Sequence, residues 1–248
     1  MESVLILWDI DATLITTSRA GIAAMGRAGR EMFGGSFDEL RVEYAGRLDP
    51  LIIGDLLVVH GHPRTPDAMA RFREGYRRHL EALLTEANTA RPCPGVVVLL
   101  EALRAEGRAT MGLLTGNFPE TGAIKLRAAG IEPEDFEIRV WGCDSPHDPP
   151  SRDHLPAVGM QRYAERKGRA VSPKDVVVIG DTPHDIGCAR AHGCRSLGVA
   201  TGSFRVEDLE RAGADLALAD LTDTERALTW LTGERTNGSA QRAAGSAR

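Results

Sequence analysis

The first apolar run of the chain, Val4-Leu5-Ile6-Leu7-Trp8, breaks at Asp9-Ile10-Asp11-Ala12-Thr13-Leu14. A run apolar on both faces predicts a fully buried strand of a parallel sheet. From about Ser18 to Ala90 the pattern is helical, with no convincing strand. Ser18 is the expected N-cap of a helix running to Phe33, ended by Gly34-Gly35. A second, short helix is expected from Phe37 to Tyr44. Asp49-Pro50 reads as a cap and first-turn proline opening a helix through His60. Thr65-Pro66-Asp67 opens a longer one, with Met69, Phe72, Tyr76, Leu80 and Leu83-Leu84 as its apolar stripe.

Beyond Arg91-Pro92-Cys93-Pro94-Gly95 strands and helices alternate. Helices are predicted over Val96–Glu106, Pro119–Ala129, Arg152–Lys167 and Pro183–His192, with Gly107, Gly130 and Gly193 as stops. Strands are predicted over Ala109–Thr115, Phe136–Trp141, Asp175–Ile179, Arg195–Ala200 and Asp215–Leu218, and a last helix runs to Leu231. Such alternation specifies an α/β fold, a Rossmann-like doubly wound parallel sheet. An all-helical block is an odd connector within a sheet, so it reads as an inserted domain. The expected division is a core of residues 1–15 and 93–233, a helical domain of 16–92, and a small, polar, disordered tail of 234–248.

Composition narrows the class. The 248 residues carry a formal net charge of −5, with 42% hydrophobic and 26% charged residues, ordinary for a soluble globular protein. The mild acidity gives no support to nucleic-acid or anionic-membrane partners. Arg71, Arg73, Arg77 and Arg78 recur at helical spacing beside Glu74 and Glu81, which reads as a solvated helix face. The N-terminal apolar run is too short for a signal sequence and no long apolar span follows. Cys93, Cys143, Cys188 and Cys194 form no C-x-x-C pair and read as reduced thiols of a cytoplasmic protein.

The candidate chemistry lies at strand ends, where parallel α/β sheets bind ligands. Asp9 and Asp11 should both face that crevice, with Ile10 pointing away between them. Two neighbouring carboxylates repel unless a cation or a partner offsets the charge. The strand ending at Leu114 delivers Thr115-Gly116-Asn117 before a helix start, a hydroxyl and free amides suited to an anion. A later strand delivers Gly180-Asp181-Thr182-Pro183-His184-Asp185. Asp181 and Asp185, one helical turn apart, can face one hard cation such as Mg²⁺, although N-capping by Asp181 is an equal reading.

Together these strand ends resemble the haloacid dehalogenase superfamily, in particular its phosphatases of the phosphoglycolate-phosphatase type. Asp9, Asp11 and Thr13 match its D-x-D-x-T motif, Thr115 its second motif, and Gly180, Asp181 and Asp185 its G-D-x-x-x-D motif. The resemblance runs from Val4 to about Leu231 and makes the helical insertion a cap domain. It implies Asp9 as a nucleophile forming an aspartyl-phosphate and Asp11 as the general acid and base. It implies Mg²⁺ held by Asp9, the backbone carbonyl of Asp11, and Asp181, with Asp185 as ligand or neighbour. Thr115, with Gly116 and Asn117, would bind the phosphoryl oxygens, and Thr13 is placed with the substrate-binding residues.

Two positions depart from the pattern. Ala12 stands where the family has glycine, a strain of about 1 kcal/mol if φ is positive there. The third-motif lysine is missing; Lys125, Lys167 and Lys174 do not occupy its place, and Arg152 is the expected substitute, or else a first-turn surface residue. His184 either contacts substrate or caps a helix. His60-Gly61-His62 reads as ordinary loop residues rather than metal ligands, and the loop Gly142–Pro150 as a connector or else a lining of the site entrance. Arg47, a cation with no evident local partner, either reaches an anionic group at the far end of the substrate or lies on the surface. The function expected is Mg²⁺-dependent hydrolysis of a small phosphorylated metabolite by a monomer or homodimer. The alternatives are a phosphomutase of the same superfamily and a catalytically silent ligand-binding relative.

Overall fold

The computed structural model describes residues 4–233; the tail expected to be disordered lies outside the described residues. Its centre is β1 (Val4–Trp8), the run apolar on every side. The chain then pairs β2 (Ile15–Thr16) with β3 (Arg91–Pro92) as an antiparallel ribbon, and the helical block leaves and returns through that ribbon. Between them lie α1 (Ala20–Phe33), α2 (Asp49–Val59) and α3 (Pro66–Ala87). After β3 come α4 (Val96–Glu106), β4 (Ala109–Leu114), α5 (Pro119–Ala128) and β5 (Ile138–Val140). Then follow α6 (Leu155–Lys167), β6 (Val176–Gly180), α7 (Pro183–Ala191) and β7 (Arg195–Val199). The described chain closes with α8 (Val206–Ala212), β8 (Leu216–Leu218) and α9 (Thr224–Thr232).

The sheet order is β5-β4-β1-β6-β7-β8, with every pairing parallel. From β1 the chain winds outward through β4 and β5 on one side, then through β6, β7 and β8 on the other. The switch point, where a crevice must open, therefore lies at the carboxyl ends of β1, β4 and β6. Alternate residues of β1 feed two cores. Ile6 and Trp8 pack with Leu99, Leu103 and Ala227 on one face. Leu5 and Leu7 pack with Leu155, Tyr163 and Val178 on the other.

The helical block has its own core of Ala24, Met25, Ile53, Leu57, Phe72 and Leu80, joined by Phe118 at the entrance to α5. The expected stripe of α3 is buried at Phe72, Tyr76, Leu80 and Leu84 and half-buried at Met69 and Leu83. On α1, Gly29 is required by close approach: a Cβ there would enter the Phe37 ring.

Several local expectations are corrected. Ser18 does not cap α1; Ser18 and Arg19 both take positive φ (51° and 66°), and the helix begins at Ala20 without a side-chain cap. Phe37–Tyr44 forms only a 3₁₀ turn, Glu39–Arg41, because Phe37 turns into the helical core. Asp49 is the first residue of α2 rather than its cap, and its carboxylate serves α5 instead, accepting from Phe118 N at 3.3 Å and Thr121 Oγ1 at 3.4 Å. The helix α8 was not expected, since among its residues only Leu209 is buried. Arg152–His154 is a separate 3₁₀ turn before α6.

Candidate active site

Asp9 directly follows β1 and is still held by the ladder, its N–H donating to Ile179 O at 2.9 Å. Ile10 turns into the core. Its carbonyl accepts the N–H groups of Thr13, Leu14 and Ile15, a tight turn that carries Asp11 to the crevice rim. Ala12, inside that turn, has φ 54°, the strained region expected for it.

Gly180 ends β6, and a Cβ there would collide with the Asp185 carboxyl, so only glycine lets Asp185 fold back over the strand end. Asp185 Oδ2 accepts from Thr182 N (3.1 Å) and Thr182 Oγ1 (2.7 Å). Thr182, not Asp181, is thus the N-cap of α7, which leaves Asp181 available to the crevice. One carboxylate oxygen each of Asp9, Asp181 and Asp185 lie within 4.8 Å of one another, and all three residues are buried. Burial raises Asp9 to about 6, with Arg152 opposing and Asp185 and Asp11 adding to the rise. Asp181 is raised to about 8 by burial and by the charges of Asp185 and Asp9. Three buried carboxylates that resist ionising together, all with hard oxygen donors, fit a divalent cation such as Mg²⁺. Asp11 contributes no side-chain oxygen to this group.

Arg152 is the one guanidinium inside the cluster. Its Nη2 lies 3.1 Å from Asp9 Oδ1 and 2.5 Å from Asp185 Oδ1, and the residue is buried, not a surface one. Its Nε has no partner. Thr115 is fully buried at the end of β4, with its Oγ1 accepting from Asn117 Nδ2 at 2.8 Å. Gly116 touches the Arg47 carbonyl so closely that no Cβ would fit, bringing the backbone beside the crevice.

Asp9, Asp11, Thr115, Gly116, Asn117, Arg152, Asp181 and His184 all line one cavity of about 900 Å³, walled by the carboxyl ends of the central strands and by the helical block. Asp185 lies just behind it. Thr13 is corrected: it is fully buried, absent from the cavity wall, and its hydroxyl has no partner. Arg47 is corrected too. It lines the cavity, but its Nη2 pairs with Asp55 Oδ2 at 2.5 Å and its Nη1 reaches Glu43 O, so it is not without a partner. His60 and His62 stack on Phe37 and Phe33, as connections rather than ligands.

Two contributors were not foreseen. Lys125 of α5 is buried beside Asp11, its Nζ 2.7 Å from Asp11 Oδ2. The loop after β7 adds Gly202, Ser203 and Phe204 to the wall, and Thr201 donates to Ala12 O. Nothing in the sequence marked either of them.

Comparison with known proteins places this geometry. The family described as HAD-hydrolase-like matches residues 155–224. The pyrophosphatase PpaX of Bacillus pumilus is 26% identical over 222 residues, 88% of this chain and 93% of that protein. The phosphoglycolate phosphatase of Escherichia coli strain K12 is 31% identical over 135 residues, 54% of this chain and 50% of that protein. A hydrolase from Pseudomonas syringae shares the fold with a TM-score of 0.71 at 23% identity, over 93% of this chain and 100% of that one. The family model and these relatives support a phosphatase of the haloacid dehalogenase superfamily.

Proposed function

We propose that the protein is a Mg²⁺-dependent phosphomonoester hydrolase of a small phosphorylated metabolite, acting through an aspartyl-phosphate on Asp9. The observation that carries this reading is the Asp9 carboxylate at the foot of the cavity, 3.1 Å from Arg152 and within one ligand sphere of Asp181 and Asp185. Asp9, Asp181, Asp185 and the carbonyl of Asp11 would hold Mg²⁺, which when bound neutralises charge between the Asp9 carboxylate and a phosphate dianion.

Asp9 attacks phosphorus while the bond to the leaving oxygen breaks, and Asp11 gives that oxygen its proton. Asp11, now ionised, takes a proton from the water that releases phosphate from Asp9. Thr115, the amides of Gly116 and Asn117, and the free Nε–H of Arg152 bind the phosphoryl oxygens, with His184 at the substrate side. Residues 16–92 act as a cap that excludes water during turnover. Ala12 and the substitution of arginine for lysine do not silence such a site: the turn accommodates φ 54°, and a guanidinium serves the lysine's electrostatic role.

The test is Mg²⁺-dependent turnover of p-nitrophenyl phosphate by wild type and Asp9→Asn. Asp9→Asn should fold and lose nearly all activity, and beryllium fluoride should bind wild type only. Substantial turnover by the variant, with deamidation excluded by mass spectrometry, overturns the covalent route. Isomerisation of a hexose phosphate primed with its bisphosphate would instead assign a mutase.

A further inference from the structure

Lys125 sits on α5 with 4% of its surface exposed, and a charged lysine at that depth must be fully partnered. Its ammonium has three hydrogens and meets three acceptors. Asp11 Oδ2 lies at 2.7 Å and Asn117 Oδ1 at 2.6 Å, and the hydroxyl of Tyr76, from α3, closes the set. Burial alone would lower its pKa, but Asp11, Tyr76 and Asp49 together outweigh that and raise it well above the ordinary lysine value. Gly21 of α1 roofs the pair: a Cβ there would stand 3.3 Å from Nζ and 3.4 Å from the Tyr76 hydroxyl. No hydrogen of this ammonium remains for a substrate.

Asp11 is held at a single oxygen. Oδ2 takes both Lys125 Nζ and Asn117 Nδ2, the latter at 2.8 Å, while among the described residues no hydrogen bond is made to Oδ1. An oxygen already accepting two donors is a poor seat for a proton, so the proton that Asp11 transfers resides on Oδ1. Asn117 is locked in turn, donating to Thr115 Oγ1 and accepting from Lys125 through its own oxygen. The arrangement also ties Asp11 to the helical block, because Tyr76 reaches the ammonium from α3.

We infer that Lys125 is a positioning residue that orients the Asp11 carboxyl for proton transfer, acting through Asp11 rather than on the phosphate. This rests on the reading of Asp11 as acid and base. Its signature is therefore a coupled loss: without Lys125 the proton-transfer steps slow, while phosphate binding does not change.

The experiment is a double-mutant cycle of Lys125→Met and Asp11→Asn in the full chain, with phenyl phosphate as the poor leaving group and p-nitrophenyl phosphate as the good one. Lys125→Met should lower kcat for phenyl phosphate about tenfold or more in the Asp11 background and less than about twofold beside Asp11→Asn. KM and the inhibition constant of inorganic phosphate should stay within about threefold of wild type, since a group that does not touch the phosphate leaves its binding alone. The first turnover with p-nitrophenyl phosphate should slow less than the steady state, because that leaving group needs no acid. Equal losses in both Asp11 backgrounds, or weaker inhibition by phosphate, would overturn the inference alone. Full turnover by Asp11→Asn by itself would overturn the reading of Asp11 and the inference with it. Should Lys125→Met fail to fold, Lys125→Arg, which keeps the charge but displaces the donor, goes through the same cycle and is judged by the same coupling.

Discussion

Arg152 Nη2 stands 3.1 Å from Asp9 Oδ1, so the candidate nucleophile is paired with a cation from the opposite side of the sheet switch point. The same nitrogen reaches Asp185 Oδ1 at 2.5 Å. One guanidinium thereby sets the spacing between the end of β1 and the start of α7. Asp9, Arg152 and Asp185 come from three separate crossovers, and their convergence is a property of the fold and not of any local segment.

Replacing this arginine leaves three buried carboxylates without their cation. Arg152→Ala should lose at least about 100-fold in kcat/KM and destabilise the protein by about 3–5 kcal/mol in EDTA, the usual cost of breaking a buried pair from one side. Arg152→Lys should retain more of both, since it keeps the charge, but it lacks the fork needed to span two carboxylates. Thermal melts and p-nitrophenyl phosphate turnover check both; an alanine variant as active as wild type removes Arg152 from the site.

The sequence made the strand-end residues legible because each follows a short apolar run directly, and topology alone then brings strand ends together. Arg152 was legible only through the family resemblance, as the cation at the start of an expected helix where the third-motif lysine is missing. Lys125 was not, because its partners Asp11 and Tyr76 belong to other elements and α5 gives no local reason for a buried charge there. Arg47 misled for the converse reason. Its partner Asp55 lies eight residues on, across the start of α2, where no helical spacing relates the two. Asp49 looked like a cap because Asp-Pro is a cap pattern, but the amide of Phe118, from the core, competed for its carboxylate and won.

The strain at Ala12 has a direct test. A left-handed φ of 54° costs alanine about 1 kcal/mol or more, partly offset by the extra freedom glycine brings to the unfolded chain. Ala12→Gly should be neutral or more stable by up to about 1 kcal/mol, raising Tm by a few degrees at most. A clear fall in Tm would show that the left-handed turn imposes no such strain.

Asp49 carries a stability dependence on pH. Burial raises its carboxyl from 3.8 to about 7, with Lys125 opposing, so the native state keeps a proton the unfolded chain has released. Its stabilising protonated form is present at low pH, and that contribution is lost as pH rises from about 4 through 7. Asp49→Asn keeps an acceptor for Phe118 N and removes the ionisation. It should gain about 2 kcal/mol over wild type at pH 8 and little at pH 5, within the bound of about 1.4 kcal/mol per pKa unit. Denaturant melts at both values decide it: equal effects at the two pH values would mean that Asp49 does not titrate on folding.

Removal of the metal should be visible in stability before any assay of turnover. Asp9 at about 6 and Asp181 at about 8 both lie above the ordinary 3.8, burial being the main cause in each. In EDTA the native protein therefore holds protons on these groups that the unfolded chain gives up. Their contribution to stability declines as pH rises from about 4 to 8. A divalent cation binds the ionised carboxylates and must displace those protons, so its affinity rises over the same interval. Because a ligand stabilises by its excess over Kd, the Tm gained from Mg²⁺ over EDTA should be several degrees near pH 8 and much smaller near pH 5.5. Asp181→Asn removes one ligand and one buried charge together. It should raise Tm in EDTA near pH 8 and shrink the response to Mg²⁺. A Mg²⁺ response that is absent near pH 8, or larger near pH 5.5, would contradict a cation site built from Asp9, Asp181 and Asp185.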